Sequence, residues 1–432
     1  MTNDAIEVQQ ADHIKQLKAA YVDVLKQLGY GGVLISSGAA PLRYADDQAH
    51  HHHGYGHFLH WTGLTGVEHS WLLVERDGTV RLWLHTPDDF WHAPPTLPTE
   101  PWTHEITVSG KQTPEPPDAT HLPGQLAVIG DPSQIANAPG APNPPSLIAA
   151  LDELRLVKSD YEINCIKQAN RIAAAGHQAA REAFLDGASE FGINLAYQQA
   201  TGQREALAPY HSIIGLNENA GILHYQHYDT APPPRRHSLL VDAGVRYRGY
   251  CSDITRTTGA PDQARFRALI GGLDQLQQRL CEAVTPGVEF AELHQKAHWG
   301  LAALLRSSDL VQGLSEEAIT ERGITRAFFP HGLGHLLGIQ VHDVAGKPVP
   351  APENAPFLRL TRSLEKGMVI TIEPGLYIIP SLLEPLLNGA DGRHLNHTLI
   401  NELKGCGGIR IEDNVVVTSQ GSQNLTRPYL PD

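Results

Sequence analysis

Ile14, Leu17, Tyr21, Val24, Leu25 and Leu28 recur at the three- and four-residue intervals of one helical face, and Gly29 follows as a stop. Gly32 to Ser36 then reads as a short buried strand. Trp71–Val74 and Val80–Leu84 flank Asp77 and Gly78, the pattern of a hairpin. Leu126–Ile129, closed by Gly130, predicts another strand. This mixture predicts an α/β domain over the first half. Proline, asparagine and glycine accumulate between Ala136 and Pro145, which marks a candidate linker. Ser146–Leu156 reads as one helix and Ser159–Leu185 as a longer one, with Ser159 as N-cap and Glu162 completing a capping box. Helices at 188–203, 262–283 and 289–306 follow, separated by strand-like segments. The expected organisation is a smaller N-terminal α/β domain over 1–145, a helical linker at 146–158 and a larger α/β (α+β) domain over 159–432.

At 432 residues the chain exceeds one ordinary core, which agrees with two domains. Thirty-three basic against 47 acidic residues give a net charge of −14. Such a surface repels phosphate and anionic lipid, so nucleic acid and membrane are not expected partners. Met1–Lys15 has no apolar signal core and no stretch approaches the length of a bilayer span, so a cytoplasmic protein is expected. Cys165, Cys251, Cys281 and Cys406 form no CxxC pair, which fits a reducing compartment. The run His50–His53 reads as a solvated or crevice-lining loop, because four adjacent side chains diverge too much to share one ion.

The chemistry is concentrated in acidic residues that interrupt apolar strands. Asp242 and Asp253 lie in LLVDAGVRYRGYCSDITRT, Glu373 in GMVITIEPGLYII and Glu412 in GIRIEDNVVV. A two-residue loop at Tyr247–Arg248 would set Asp242 directly opposite Asp253, with Cβ atoms about 5 Å apart. A carboxylate in a buried strand costs several kcal/mol unless paired or bound to metal, and four of them are most simply read as one site. His331, His335 and His342 follow in PHGLGHLLGIQVHDVAG. No glutamate follows His331 and two glycines weaken a helix there, which removes a zinc-protease reading of His331 and His335. Oxygen donors with an imidazole suit manganese or cobalt, with zinc also compatible. Four carboxylates and a histidine suffice for two ions bridged by carboxylates and a hydroxide.

These segments, together with PYHSIIGLNENAGILHY, resemble the pita-bread metallopeptidases, and within them the bacterial prolidases (Xaa-Pro dipeptidases), which include the organophosphorus acid anhydrolases. The resemblance runs from about Lys158 to the end and more weakly through the first half. It implies a pita-bread catalytic domain after a prolidase-type N-terminal domain, and two divalent cations, Mn2+ foremost. Asp242 would hold one metal, Asp253 and Glu412 would bridge both, and His335 and Glu373 would complete the second. A bridging hydroxide would attack the scissile carbonyl and Glu373 would pass the proton to the leaving prolyl nitrogen. His224 and His342 would contact substrate and oxyanion, with His331 a further pocket residue. Arg359 would take the prolyl carboxylate, and Tyr210 would line a small pocket. Arg410 shares the face of Glu412 and would orient a ligand carboxylate.

The implied activity is hydrolysis of Xaa-Pro dipeptides, with organophosphate triesters as a side substrate and a homodimer as the assembly. An Xaa-Pro aminopeptidase and a non-catalytic binding protein of the same fold are the alternatives. The chain departs from the resemblance at Asp46–Asp47, which run into Gln48, Ala49 and the histidines, in a loop expected to reach the neighbouring subunit's site. The segment between His342 and Arg359 is also shorter.

Overall fold

The computed structural model describes residues 3–430 apart from 120, 121 and 123. It divides into two compact units, residues 1–165 with the hairpin tip 247–250, and residues 166–246 with 251–432.

The first unit contains α1 (Asn3–Leu28), β1 (Tyr30–Ser36), α2 (Gly56–Thr62), β2 (Trp71–Glu75), β3 (Val80–His85), β4 (Thr107–Lys111), β5 (Gln125–Ile129), α3 (Pro132–Ile135), β6 (Ala141–Pro142) and α4 (Pro145–Glu153). Its six-stranded sheet has the order β4-β3-β2-β1-β5-β6. β1 is antiparallel to β2 and parallel to β5. Val33 and Ile35 of β1 pack on one face with Ile14, Leu17, Tyr21 and Leu25 of α1, whereas Leu34 packs on the other with Trp71, Leu73 and Val128. Burial on both faces explains the unbroken apolar run of this strand. The Pro/Asn/Gly-rich stretch at 136–145 is not a spacer. It supplies β6, which pairs in parallel with β5, so this unit takes in the expected linker and continues to residue 165. The histidine run lies in a loop where His50, His51 and His53 are exposed.

The chain continues as α5 (Asp160–Leu185), whose capping box forms as the sequence suggests: Ser159 N–H donates to Glu162 Oε2 at 2.8 Å. Then come α6 (Glu190–Thr201), β7 (Ile213–Leu216), β8 (Ser238–Asp242), β9 (Arg246–Tyr247), β10 (Tyr250–Cys251), β11 (Thr255–Gly259), α7 (Ala264–Glu282), α8 (Phe290–Ser307), α9 (Glu316–Glu321), α10 (Ile324–Phe328), β12 (Val369–Ile372), β13 (Gly375–Tyr377), α11 (Pro380–Asn388), α12 (His397–Leu403), β14 (Gly408–Arg410), β15 (Asp413–Val417) and β16 (Ser422–Asn424). The strands form small sheets, β11-β8-β7, β12-β15-β16 and β13-β14, cross-linked by single bridges such as Thr255 with Glu412.

The register between β8 and β11 corrects one expectation. Thr255, not Asp253, stands opposite Asp242. The two residues with positive φ are Arg248 (47°) and Gly249 (88°), so the tight turn falls one residue later than Tyr247–Arg248. A type I′ turn needs positive φ at both central positions, and glycine takes the second without strain. Moving the turn by one residue moves the facing position by two. Asp242 and Asp253 are therefore diagonal neighbours on one face, not a directly opposed pair.

Asp413 fixes the strand beside this sheet. Fully buried, it accepts from Arg256 Nη2 at 2.8 Å, Arg427 Nε at 2.7 Å and Asn424 Nδ2 at 2.8 Å. Removing one member of a buried ion pair strands the others, at a cost of about 3–5 kcal/mol. Asp413→Ala is therefore expected to lower the urea midpoint by that equivalent, while Asp262→Ala, an exposed partner of Arg235, leaves it within about 0.5 kcal/mol of the parent.

Candidate metal centre

Asp242 closes β8, Asp253 stands just before β11, Glu373 follows β12, and Glu412 sits between β14 and β15. His335 is on an irregular segment held against β12: its N–H donates to Thr371 Oγ1 at 3.1 Å, and Thr371 N–H returns to His335 O at 2.9 Å. Gly334 permits this approach, because a Cβ there would lie 2.1 Å from Thr371 O. The strand termini thus bring together residues separated by 170 positions of chain (242 to 412).

One oxygen or nitrogen from each of Asp253, His335 and Glu412 lies within 4.8 Å of the others. His335 Nε2 is 3.4 Å from Asp253 Oδ2 and 3.6 Å from Glu373 Oε1. Its Nδ1 is 2.9 Å from Leu336 O, which places the proton on Nδ1 and leaves the Nε2 lone pair facing the carboxylates. Asp242 is joined to Asp253 through Tyr210, whose hydroxyl is 2.8 Å from Asp242 Oδ1 and 2.5 Å from Asp253 Oδ1. One phenolic proton cannot serve two ionised oxygens. The second contact requires another proton or a cation.

The protonation behaviour says the same. Burial, then the charges of Asp253, Glu373 and Asp242, pushes Glu412 well above the usual carboxylate range. Burial raises Glu373 to about 7, against the pull of His335 and Arg410. Asp242 is also raised by burial, with Arg410 opposing. Burial would raise Asp253 too, but His335 outweighs it and the carboxyl lies below its ordinary value. His335 would be lowered by burial, yet Asp253 and Glu373 raise it. Buried carboxylates that must otherwise be protonated, beside an imidazole with an oriented lone pair, fit divalent cations.

Arg410, expected to orient a carboxylate of the site, is held within the protein against Asp242. Its Nη2 is 2.6 Å from Asp242 Oδ2, its Nη1 donates to Tyr377 OH at 2.9 Å and its Nε to Thr255 Oγ1 at 3.2 Å. Tyr210 likewise touches ligand carboxylates. His331 Nε2 is 2.8 Å from Tyr377 OH, and burial first, then Arg410, lowers it to about 3. His342 packs edge-on against His335 with ring centroids 4.3 Å apart, and burial, His335 and Arg359 lower it to about 3. His224 is exposed, and its charge bears on both His331 and His342. Arg359 is exposed and acts on His342.

Sequence reasoning missed Tyr377, which links Arg410 to His331, and Thr255, whose hydroxyl donates to Glu412 Oε2 at 2.7 Å. It also missed Asn414, which accepts from Asp253 N–H at 3.1 Å. Their signal was present in the sequence: Thr255 lies two residues after Asp253 and Asn414 two after Glu412, on strands whose same-face neighbours were already suspected. A cavity of about 830 Å3 bordered by His294, His298, Trp299 and Leu358 lies in the same unit, but none of the eleven expected site residues lines it.

Residues 164–419 match the metallopeptidase family M24. The chain belongs to that family. Residues 9–152 match the N-terminal domain of Xaa-Pro dipeptidases, so an N-terminal domain of that type precedes the M24 domain. The M24 chain is 63% identical over 424 residues to a Marinobacter nauticus protein named Xaa-Pro dipeptidase, covering 98% of each. A protein of the same name from Edwardsiella ictaluri is 41% identical, with 96% of this chain and 97% of that one covered. Among solved structures, a histidine-to-alanine variant of Escherichia coli aminopeptidase P superposes with a TM-score of 0.71 over 96% of this chain and 95% of the other, at 22% identity. That likeness establishes the aminopeptidase P-like fold. Among the described residues, no helix is long and apolar enough to cross a membrane.

The raised groups give the metal-free M24 chain a definite pH response. Glu373 binds more protons folded than unfolded between its ordinary 4.5 and about 7, so stability from it falls as pH rises through that window. Glu412, Asp242 and His335 are shifted the same way, whereas Asp253 and the buried histidines His331, His342 and His60, all lowered, oppose. Because the raised carboxyls must give up protons to take a cation, added Mn2+ is expected to raise the melting temperature of EDTA-treated protein more at pH 7 than at pH 5. An equal Mn2+-dependent rise at both pH values would contradict the assignment.

Proposed function

We propose that the protein is a dinuclear metal-dependent Xaa-Pro dipeptidase. The convergence of Asp253, His335 and Glu412, with Asp242 and Glu373 beside them, carries this reading, and the full-length similarity to proteins named Xaa-Pro dipeptidase supports it. Asp242, Asp253, His335, Glu373 and Glu412 hold two divalent cations, Mn2+ being favoured by the oxygen-rich donor set. When bound, such ions polarise a carbonyl and make water nucleophilic at neutral pH.

The chain's own residues do the rest. Glu373 takes the proton of the attacking water and gives it to the prolyl nitrogen as that bond breaks. His342 and His224 hold the substrate carbonyl, and a neutral His342 donates one hydrogen bond to the developing oxyanion. His331 is kept neutral by burial and then by Arg410, is oriented by Tyr377, and borders the same space. Arg359 offers its two-pronged guanidinium to the terminal carboxylate of proline. Tyr210 and Arg410 are positioning residues. The hydroxyl of Tyr210 holds the two aspartates in reach of each other, and Arg410 fixes the rotamer of Asp242. A tetrahedral phosphoryl centre resembles the attacked carbonyl, so organophosphate triesters are a side substrate. The reading places a homodimer in the cytoplasm.

Ala-Pro is expected to be cleaved at least about tenfold faster, in kcat/KM, than Ala-Pro-Ala, since a lost charge-assisted contact costs about 1.5–3 kcal/mol. Comparable rates would favour an aminopeptidase on longer peptides. Arg359→Ala should raise KM for Ala-Pro by a similar factor and leave an uncharged ester substrate nearly unaffected. Asp253→Asn is expected to lose both bound metal and activity while its circular dichroism stays that of the parent. A metal-loaded Asp253→Asn protein with full activity would refute the ligand assignment.

A further inference from the structure

A second cluster of metal-ligating side chains lies entirely within the first unit, apart from the unit that carries this chemistry. His13 of α1, His60 of α2 and Glu162 of α5 each offer one donor atom within 4.8 Å of the other two. All three are at least nine-tenths buried, at 5%, 2% and 3% exposure. We propose that His13 Nδ1, His60 Nε2 and Glu162 bind a structural transition-metal ion of the zinc class, independent of the catalytic pair.

The separations are those of ligands around an ion. His60 Nε2 is 3.4 Å from Glu162 Oε1, and His13 Nδ1 is 3.8 Å from Glu162 Oε2. At the catalytic centre the corresponding distances from His335 are 3.4 and 3.6 Å. A direct charged hydrogen bond would close to about 2.8 Å, whereas tetrahedral donors about 2.1 Å from zinc stand about 3.4 Å apart. Protonation also suits a metal. Burial lowers His60 to about 4, so its imidazole is neutral at pH 7, and the surrounding donors hold Glu162 ionised against the cost of burial. A neutral imidazole at His60 and an ionised Glu162 are what a zinc-class ion takes up without expelling protons.

The surroundings are those of a ligand shell. His13 Nε2 is 3.0 Å from His60 O, which places its proton there and turns the Nδ1 lone pair inward. Tyr250 OH donates to Glu162 Oε1 at 3.1 Å, and Ser159 N–H donates to Glu162 Oε2 at 2.8 Å. The ion would replace the Ser159 hydroxyl, 2.9 Å from His13 Nδ1, as partner of that nitrogen. His60 Nδ1 is buried without a hydrogen-bond partner in either case.

The test counts metal in the full-length protein. Parent, Asp253→Asn, His60→Ala and His13→Gln chains are stripped, loaded with Zn2+, desalted and analysed by mass spectrometry. His60→Ala and His13→Gln are each expected to hold about one equivalent per chain less than the parent, while Asp253→Asn retains that equivalent. Co2+ loaded into Asp253→Asn should give the visible absorption of a four-coordinate ion, absent when His60→Ala is added. Thermal shift guards against misfolding: Zn2+ should raise the melting temperature of Asp253→Asn but not of the double variant. Equal metal content in parent and His60→Ala, or no Zn2+-dependent shift in Asp253→Asn, would leave the cluster as a hydrogen-bonded knot and overturn the proposal. The comparison does not depend on how many ions the catalytic centre holds.

Discussion

Repulsion among carboxylates gathered in a space with little water governs the larger unit. Four acids on separate strands meet there, and the protein answers each only in part. Arg410 neutralises Asp242, His335 favours the ionised Asp253, Thr255 gives Glu412 one hydroxyl, and Tyr210 brings one proton to two aspartates. Glu412 and Glu373 remain well above their ordinary values because neither has a full opposite charge of its own. The deficit is sized for cations, and the short sheets exist as struts that hold it in place.

Two adjacent residues show how the fold separates a structural acid from a functional one. Glu412 and Asp413 are both buried, and alternation along the strand sends them to opposite faces. Asp413 meets Arg256 and Arg427 and is held below its usual range; Glu412 meets three carboxylates and is driven above it. Composition and burial are alike for the pair. Their neighbours alone decide which acid braces the strand and which serves the site.

Much of this was legible from the chain. The helix of residues 3–28, the hairpin around Asp77–Gly78 and the capping box at Ser159 depend on contacts a few residues apart, so their periodicity and turn chemistry carry over directly. The four strand acids were visible as charges inside apolar runs. What failed was register and partnership. The turn at Arg248–Gly249 differs by one residue from the expected one, and glycine at the second turn position was the overlooked cue. Arg410 was given the right face and a carboxylate to orient, but not which one: Asp242 lies 168 residues earlier, beyond the reach of local pattern. The stretch at 136–145 looked like a tether because proline and glycine are equally at home at the edge of a sheet, where β6 lies.

Burial, reinforced by charge, keeps the imidazoles around the site neutral. A protonated His331 or His342 would relieve the acids, but burial disfavours the charged ring first and nearby positive charge adds to it: Arg410 for His331, and His335 then Arg359 for His342. Tyr377 reinforces this by accepting from Arg410 while it lies against His331 Nε2, so the guanidinium's polarisation passes through the phenol to the ring. The histidines are thereby kept as hydrogen-bonding groups and not as counter-ions. The negative charge of the centre is left for metal ions to neutralise, and the reacting carbonyl meets donors that carry no competing charge.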